Sequence, residues 1–242
     1  MIVSFHSKRT RLFLIAGGLL VLIAVGIFLF QIPQAIRTIA AGSGVSERKV
    51  IVLDPGHGGM DGGAVGVDGV IEKDINLSIA LKLRTMLQAN GYRVIMTREE
   101  DISTGDDDAA TVREKKRTDI LNRMKLLEQT ENAYFISVHQ NQFTQPQYSG
   151  AQMFYGPNDP SSEKLAQILQ ANFKACIQPE NEREIKEATN QVYLIYNAKV
   201  PAVLVECGFL SNPQEAQKLQ QDGYQNQVAY TILLSLLQFD AA

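Results

Sequence analysis

A chain of 242 residues, 45% hydrophobic and 20% charged, has the make-up of a globular protein with one full hydrophobic core. Its net charge of −3 is unevenly placed: residues 1–46 carry Lys8, Arg9, Arg11 and Arg37 and no acid, so they hold +4 and leave −7 on the rest. A mildly acidic body argues against nucleic acid as the partner, and against capture of an anionic polymer by charge alone.

Leu12 to Phe30 is an uncharged apolar run. As a helix it would span about 28 Å, close to the thickness of a bilayer core. Lys8, Arg9 and Arg11 precede it, so the positive-inside rule puts residues 1–11 in the cytoplasm and everything after the run outside. The expected organisation is a cytoplasmic tail (1–11), a single transmembrane anchor (12–30), a linker (31–48) and one folded domain (49–240). A cleaved signal peptide is the alternative, but its apolar region would be only about 7–15 residues long.

From Val50 the pattern alternates between strands and helices. Val50–Leu53 reads as a buried strand, stopped by Asp54-Pro55-Gly56. After a glycine-rich loop, Glu72 opens a helix with Ile75, Ile79, Leu83 and Leu87 on one face, closed by Asn90-Gly91. Tyr92–Thr97 is the second strand. Arg98–Thr111 is an acidic, solvated loop without the regular ligand spacing of a calcium site. A basic helix follows from Arg113 to about Gln129. Ala133–Val138 and Gly150–Tyr155 are the third and fourth strands, and Ser161–Cys176 is a helix. Pro179–Thr189 reads as a charged surface excursion, Val192–Tyr196 as the fifth strand and Ala202–Cys207 as the sixth. A helix capped by Ser211 or Asn212 and a last one over about Tyr224–Leu237 complete the chain. This alternation predicts an α/β fold: a mostly parallel, twisted six-stranded sheet flanked by helices. Cys207, inside the last apolar strand, reads as a buried thiol; a Cys176–Cys207 disulfide is the alternative for an exported domain.

Of three histidines, His6 falls on the cytoplasmic side of the apolar run. His57 and His139 both stand where a predicted strand stops, and sites in open α/β sheets gather at the carboxyl ends of strands. Two converging imidazoles suggest zinc, which in catalytic sites takes three protein ligands and leaves a fourth position to water. Glu72, in the first turn of the helix after the His57 loop, is the best third ligand. Its alternative role is favourable charge at a helix N-terminus, worth only about 0.3–1 kcal/mol. Glu206 ends a strand that is otherwise Val-Leu-Val, where a carboxylate is costly to bury unpaired. It is the candidate general base, taking a proton from the attacking water and passing it to the leaving amine.

Four blocks, Asp54-Pro-Gly-His-Gly-Gly59, Glu72-Lys-Asp-Ile-Asn-Leu77, Ser137-Val-His-Gln-Asn141 and Val205-Glu-Cys-Gly-Phe-Leu-Ser-Asn212, resemble those of the zinc-dependent N-acetylmuramoyl-L-alanine amidases of the amidase 3 type. The resemblance spans about residues 49–238. It implies that His57, Glu72 and His139 bind one Zn²⁺, that Glu206 is catalytic, and that the substrate is the amide between N-acetylmuramic acid and L-alanine of the peptidoglycan stem peptide. Arg123 also matches the family pattern and reads as a structural salt bridge. Gln140 departs from the alanine common after the second histidine, without touching the ligand. No wall-binding repeat and no room for an autoinhibitory helix insert are evident. The chain is thus most similar to the germination-specific amidases of spore formers, which implies work on spore cortex at the outer face of the membrane. A vegetative wall amidase, a zinc peptidase of the stem peptide and an inactive wall-binding protein are the competing readings; any protein activator is not legible.

Overall fold

The computed structural model describes residues 49–242 apart from 107. The expected anchor at 12–30, with the tail and linker around it, lies outside the described residues. Among the described residues no helix is long and apolar enough to cross a membrane.

Six strands form one sheet: β1 (Val50–Pro55), β2 (Arg93–Met96), β3 (Ala133–Asn141), β4 (Gln152–Tyr155), β5 (Lys186–Glu187) and β6 (Ala202–Phe209), in the order β2-β1-β3-β6-β4-β5. The sheet is mixed, which corrects the expectation of a mostly parallel one. β2, β1, β3 and β6 run together, but β4 is antiparallel to β6, and β5 follows β4. The short link from β3 to β4 leaves no room for a crossover helix, so β4 returns in the opposite direction.

Helices cover both faces. On one side α1 (Glu72–Ala89), α3 (Ser161–Cys176) and α6 (Asp222–Asp240) bury Ile79, Leu83, Leu169, Phe173 and Ile232 against Ile51, Leu53, Ile136 and Val205. On the other, α2 (Val112–Glu128) and α4 (Tyr193–Asn197) bring Met124, Leu127 and Ile195 onto Val52, Phe135 and Leu204. The alternation of Leu204 and Val205 between the two cores is the period-2 pleat of a strand buried on both faces. Helix α2 begins with a capping box in which Thr111 and Glu114 satisfy each other's backbone donors. Asn212 caps α5 (Pro213–Leu219), with Pro213 in its first turn.

Three boundaries differ from expectation. Val192–Tyr196, expected as the fifth strand, is the short helix α4, whose Ile195 is fully buried. A short apolar run packs equally well as either, and here the sheet face it covers decides. The fifth strand is Lys186–Glu187 instead, within the stretch expected as an excursion; its exposed charges suit the edge of a sheet. Strand β1 continues through Asp54 and Pro55, because β2 has ended there and no neighbour needs the N–H that proline lacks. The acidic loop is also less free than expected, since Arg98 is buried and donates to the carbonyls of Pro55, Gly56, Lys73 and Glu100.

Beneath the carboxyl ends of the strands lies a buried ion pair. Arg123 Nη1 reaches Asp54 Oδ1 at 2.7 Å, and Thr97 and Ser137 donate their hydroxyls to the same carboxylate. Arg123 also binds Asp119 at 2.7 Å and donates to the carbonyls of Pro55 and His57, so the expected structural salt bridge is present. Cys176 and Cys207 are free thiols, the first exposed and the second buried.

Burial alone would raise the Asp54 carboxyl, but the Arg123 charge and the two hydroxyl donors overrule it and hold it at about 2, below its ordinary 3.8. A carboxyl depressed on folding stabilises the fold above its unfolded value, and that contribution is lost as pH falls through its folded value. Chemical unfolding should therefore lose about 2 kcal/mol from this group between about pH 4 and pH 2. A curve that stays flat across that window would show that Asp54 is not held this way.

Candidate metal and catalytic site

His57 is separated from β1 by one residue, Gly56, and adopts a left-handed conformation (φ 64°), which is rare for a residue other than glycine. The turn is held from below by the Arg123 bond to the His57 carbonyl. It aims the imidazole across the sheet edge at His139 of β3, with ring centroids 4.9 Å apart. Close approach explains two of the surrounding glycines. A Cβ on Gly56 would lie 2.1 Å from the His139 ring, and one on Gly63 would meet Glu72 Oε2 at 2.5 Å and the His57 ring at 2.6 Å.

Glu72, in the first turn of α1, sends its carboxylate between the two rings. Oε2 lies 3.2 Å from His57 Nε2, and Oε1 lies 2.9 Å from His139 Nδ1. One donor atom from each of His57, Glu72 and His139 falls within 4.8 Å of the others. Ligands about 2.0–2.1 Å from a tetrahedral ion sit roughly 3.3–3.4 Å apart, so these donors could hold a metal ion by drawing in around it. Two nitrogens and one carboxylate oxygen are a donor set that suits zinc.

The electrostatics favour a cation. Burial works against charge on Glu72, but hydrogen bonds from His139 and His57 outweigh it and hold the carboxyl well below its usual range. Burial likewise opposes a charge on His57, yet hydrogen bonds to Asp61 and Glu72 raise it to about 9. Without a metal the imidazolium proton neutralises the carboxylates; a bound ion would take over that role.

Glu206 faces this cluster from β6, paired in register with His139. Its strand continues to Phe209, beyond the expected end, because β3 also runs on past His139 through a bulge. Burial pushes Glu206 up to about 7, and the Glu72 charge adds to the shift. Its Oε2 is buried and has no hydrogen-bond partner. A buried, unsatisfied carboxylate oxygen costs stability and calls for a functional explanation. Gln140 lies behind the site, where it donates to Asn76.

His57, Glu72, His139 and Glu206 are thus brought together. Sequence reasoning passed over Asp61, whose Oδ2 takes His57 Nδ1 at 2.9 Å while Oδ1 pairs with Lys116 at 2.8 Å. Its four-residue spacing from a candidate ligand was the available signal. Also unforeseen was a cavity of about 340 Å³ beside the histidines and Glu206, walled by Lys116, Ile120, Val192, Tyr193 and Leu204.

Nitrogen and carboxylate donors that could hold a metal ion at the carboxyl ends of sheet strands, opposite a carboxylate of raised pKa, suit a hydrolase. The chain belongs to the N-acetylmuramoyl-L-alanine amidase family, Amidase_3, whose model matches residues 51–238. It is 39% identical over 191 residues to the germination-specific N-acetylmuramoyl-L-alanine amidase of Bacillus subtilis strain 168, covering 79% of each protein. It is 30% identical to the amidase LytC of the same organism, matching 76% of this chain but spanning only about a third (34%) of that protein. Among solved structures, the CwlD amidase of Clostridioides difficile, in complex with the GerS lipoprotein, superposes with a TM-score of 0.78 at 38% identity. That match covers 80% of this chain and 99% of that one.

A divalent ion that binds the cluster should raise the melting temperature, by the equivalent of about 4 kcal/mol at a free concentration 1,000 times its Kd. Asp61→Asn, which weakens the acceptor that orients His57, should lower Zn²⁺ affinity by roughly 10–100-fold in chelator competition. Melting that ignores zinc and chelator alike would count against a metal at these residues.

Proposed function

We propose that this amidase hydrolyses the bond between N-acetylmuramic acid and the L-alanine of the peptidoglycan stem peptide, with His57, Glu72 and His139 holding one Zn²⁺ and Glu206 acting as the general base. The observation that carries the reading is the buried, partnerless oxygen of Glu206 facing a three-residue metal cluster. A bound Zn²⁺ would supply polarisation of the scissile carbonyl and acidify a water at neutral pH. Glu206, with a pKa near 7, is suited to accept a proton from the attacking water and then deliver it to the departing alanine nitrogen. Asp61 keeps the His57 ring in one orientation, and Arg123 keeps the loop that carries it from relaxing.

The role we favour is in spore cortex, supported by the similarity to the germination-specific enzyme over most of both chains. Residues 49–240 would be the catalytic domain. The apolar run at 12–30 would anchor it to the outer face of the membrane, with the N-terminus inside. The complex of the CwlD amidase with a lipoprotein supports a membrane-associated protein partner here as well.

Purified peptidoglycan digested with the zinc-loaded protein should yield glycan strands free of peptide and stem peptides with a new alanine N-terminus. New termini within the stem peptide instead would make the protein a peptidase. Glu206→Gln should lower turnover by roughly 10²–10⁴-fold and leave zinc affinity intact. Since the base works ionised, kcat/KM should fall on the acid side. A bound cation draws the carboxylate down, so this limb should lie at or below about pH 7 and vanish in Glu206→Gln.

A further inference from the structure

The cations around the site are nearly all committed. Lys73 is paired with Asp101, Lys116 with Asp61, and Arg123 with Asp54 and Asp119. Arg98 spends its guanidinium on backbone carbonyls. Arg183 differs. It lies in the segment that connects α3 to β5, half-buried, and among the described residues no carboxylate comes within ion-pair distance of it.

Its position is nevertheless built. Nη2 and Nε donate to the Gln152 side-chain oxygen at 2.7 and 3.3 Å. Gln152 is itself buried and anchored by its own donation to the Glu184 carbonyl. The guanidinium lies over the Phe209 ring, 4.8 Å from its centroid. Hydrogen bonds on one side and an aromatic face beneath fix the plane of the fork and leave Nη1 without an acceptor among the described residues.

The fork is also beside the chemistry. Gln152 is the register partner of Glu206 across β4 and β6, so the two side chains leave the same face of the sheet one strand apart, about 5 Å. The Arg183 charge is felt at Glu206. Exposed Tyr148 and Phe143 continue the aromatic surface from Phe209, which lowers the local dielectric around any ion pair formed there.

We infer that Arg183 binds a carboxylate of the substrate on the Glu206 side of the site, namely the free carboxylate of the stem-peptide residue that follows L-alanine. This rests on the amidase reading above. A fixed guanidinium with an unused edge recognises a planar carboxylate through paired hydrogen bonds, and a primary amide in its place offers one acceptor and turns donors toward the cation. Arg183 is therefore a specificity-determining residue for the acidic form of the substrate.

The test uses two muramoyl peptides, alike except that the residue after L-alanine carries either a free carboxylate or its primary amide. The zinc-loaded full chain should cleave the acid with a kcat/KM about ten-fold higher, mostly through KM. Arg183→Ala should bring the ratio of the two substrates to about one. Arg183→Lys, which keeps the charge and loses the fork, should give an intermediate ratio and serves if the alanine variant does not fold. A wild type that cleaves both alike, or an Arg183→Ala protein that keeps the preference, overturns the inference while the amidase reading stands. Failure of the wild type to cleave either substrate overturns both.

Discussion

The Asp54–Arg123 pair is the constraint on which the site depends. It joins the end of β1 to α2 inside the protein, where a lone charge of either sign would cost several kcal/mol. Because Arg123 must satisfy its remaining donors, it also takes the carbonyls of Pro55 and His57, and these bonds hold the end of β1 and the residue at the left-handed turn. The imidazole is thus aimed by a bond to its own backbone. Asp119 extends the same network to Thr104, tying the acidic loop to the helix that carries Arg123.

The site sits at the edge of this network, and its members are shared out among elements packed on one sheet. One histidine comes from the turn just after β1 and the other from the adjacent parallel strand β3, one glutamate from the first turn of α1, and the other from β6 in register with His139. Strands and helix starts place three of the four more precisely than loops would, and the turn that carries the fourth, His57, is pinned by Arg123. The cost of such rigidity is visible at Glu206 Oε2, which stays buried and partnerless so that it faces the cluster. The glycines at 56 and 63 serve the same end, since any side chain there would push the rings or Glu72 away.

Much of the architecture was legible in the chain. The i, i+4 leucines of α1, the cap at Asn212 and the apolar run of β6 are local signals read by local rules. Val192–Tyr196 was misread because five apolar and aromatic residues suit strand and helix alike, and only the neighbouring sheet face selects one. The reversal of β4 follows from the short link after β3, a local signal, whereas its place beside β6 instead of β3 depends on the packing of the whole sheet.

By itself the sequence determined the identity of the metal-binding and basic candidates, because imidazoles are scarce in this chain and two of the three, His57 and His139, stand where predicted strands stop, with Glu72 opening the next helix and Glu206 closing a predicted strand. Tertiary structure alone decided which groups surround them. Asp61 linked to Lys116, Arg123 under the His57 turn, and Arg183 laid over Phe209 beside Gln152 are contacts between groups from separate segments. Strand register and helix packing set those distances, and neither leaves a local trace in the order of residues.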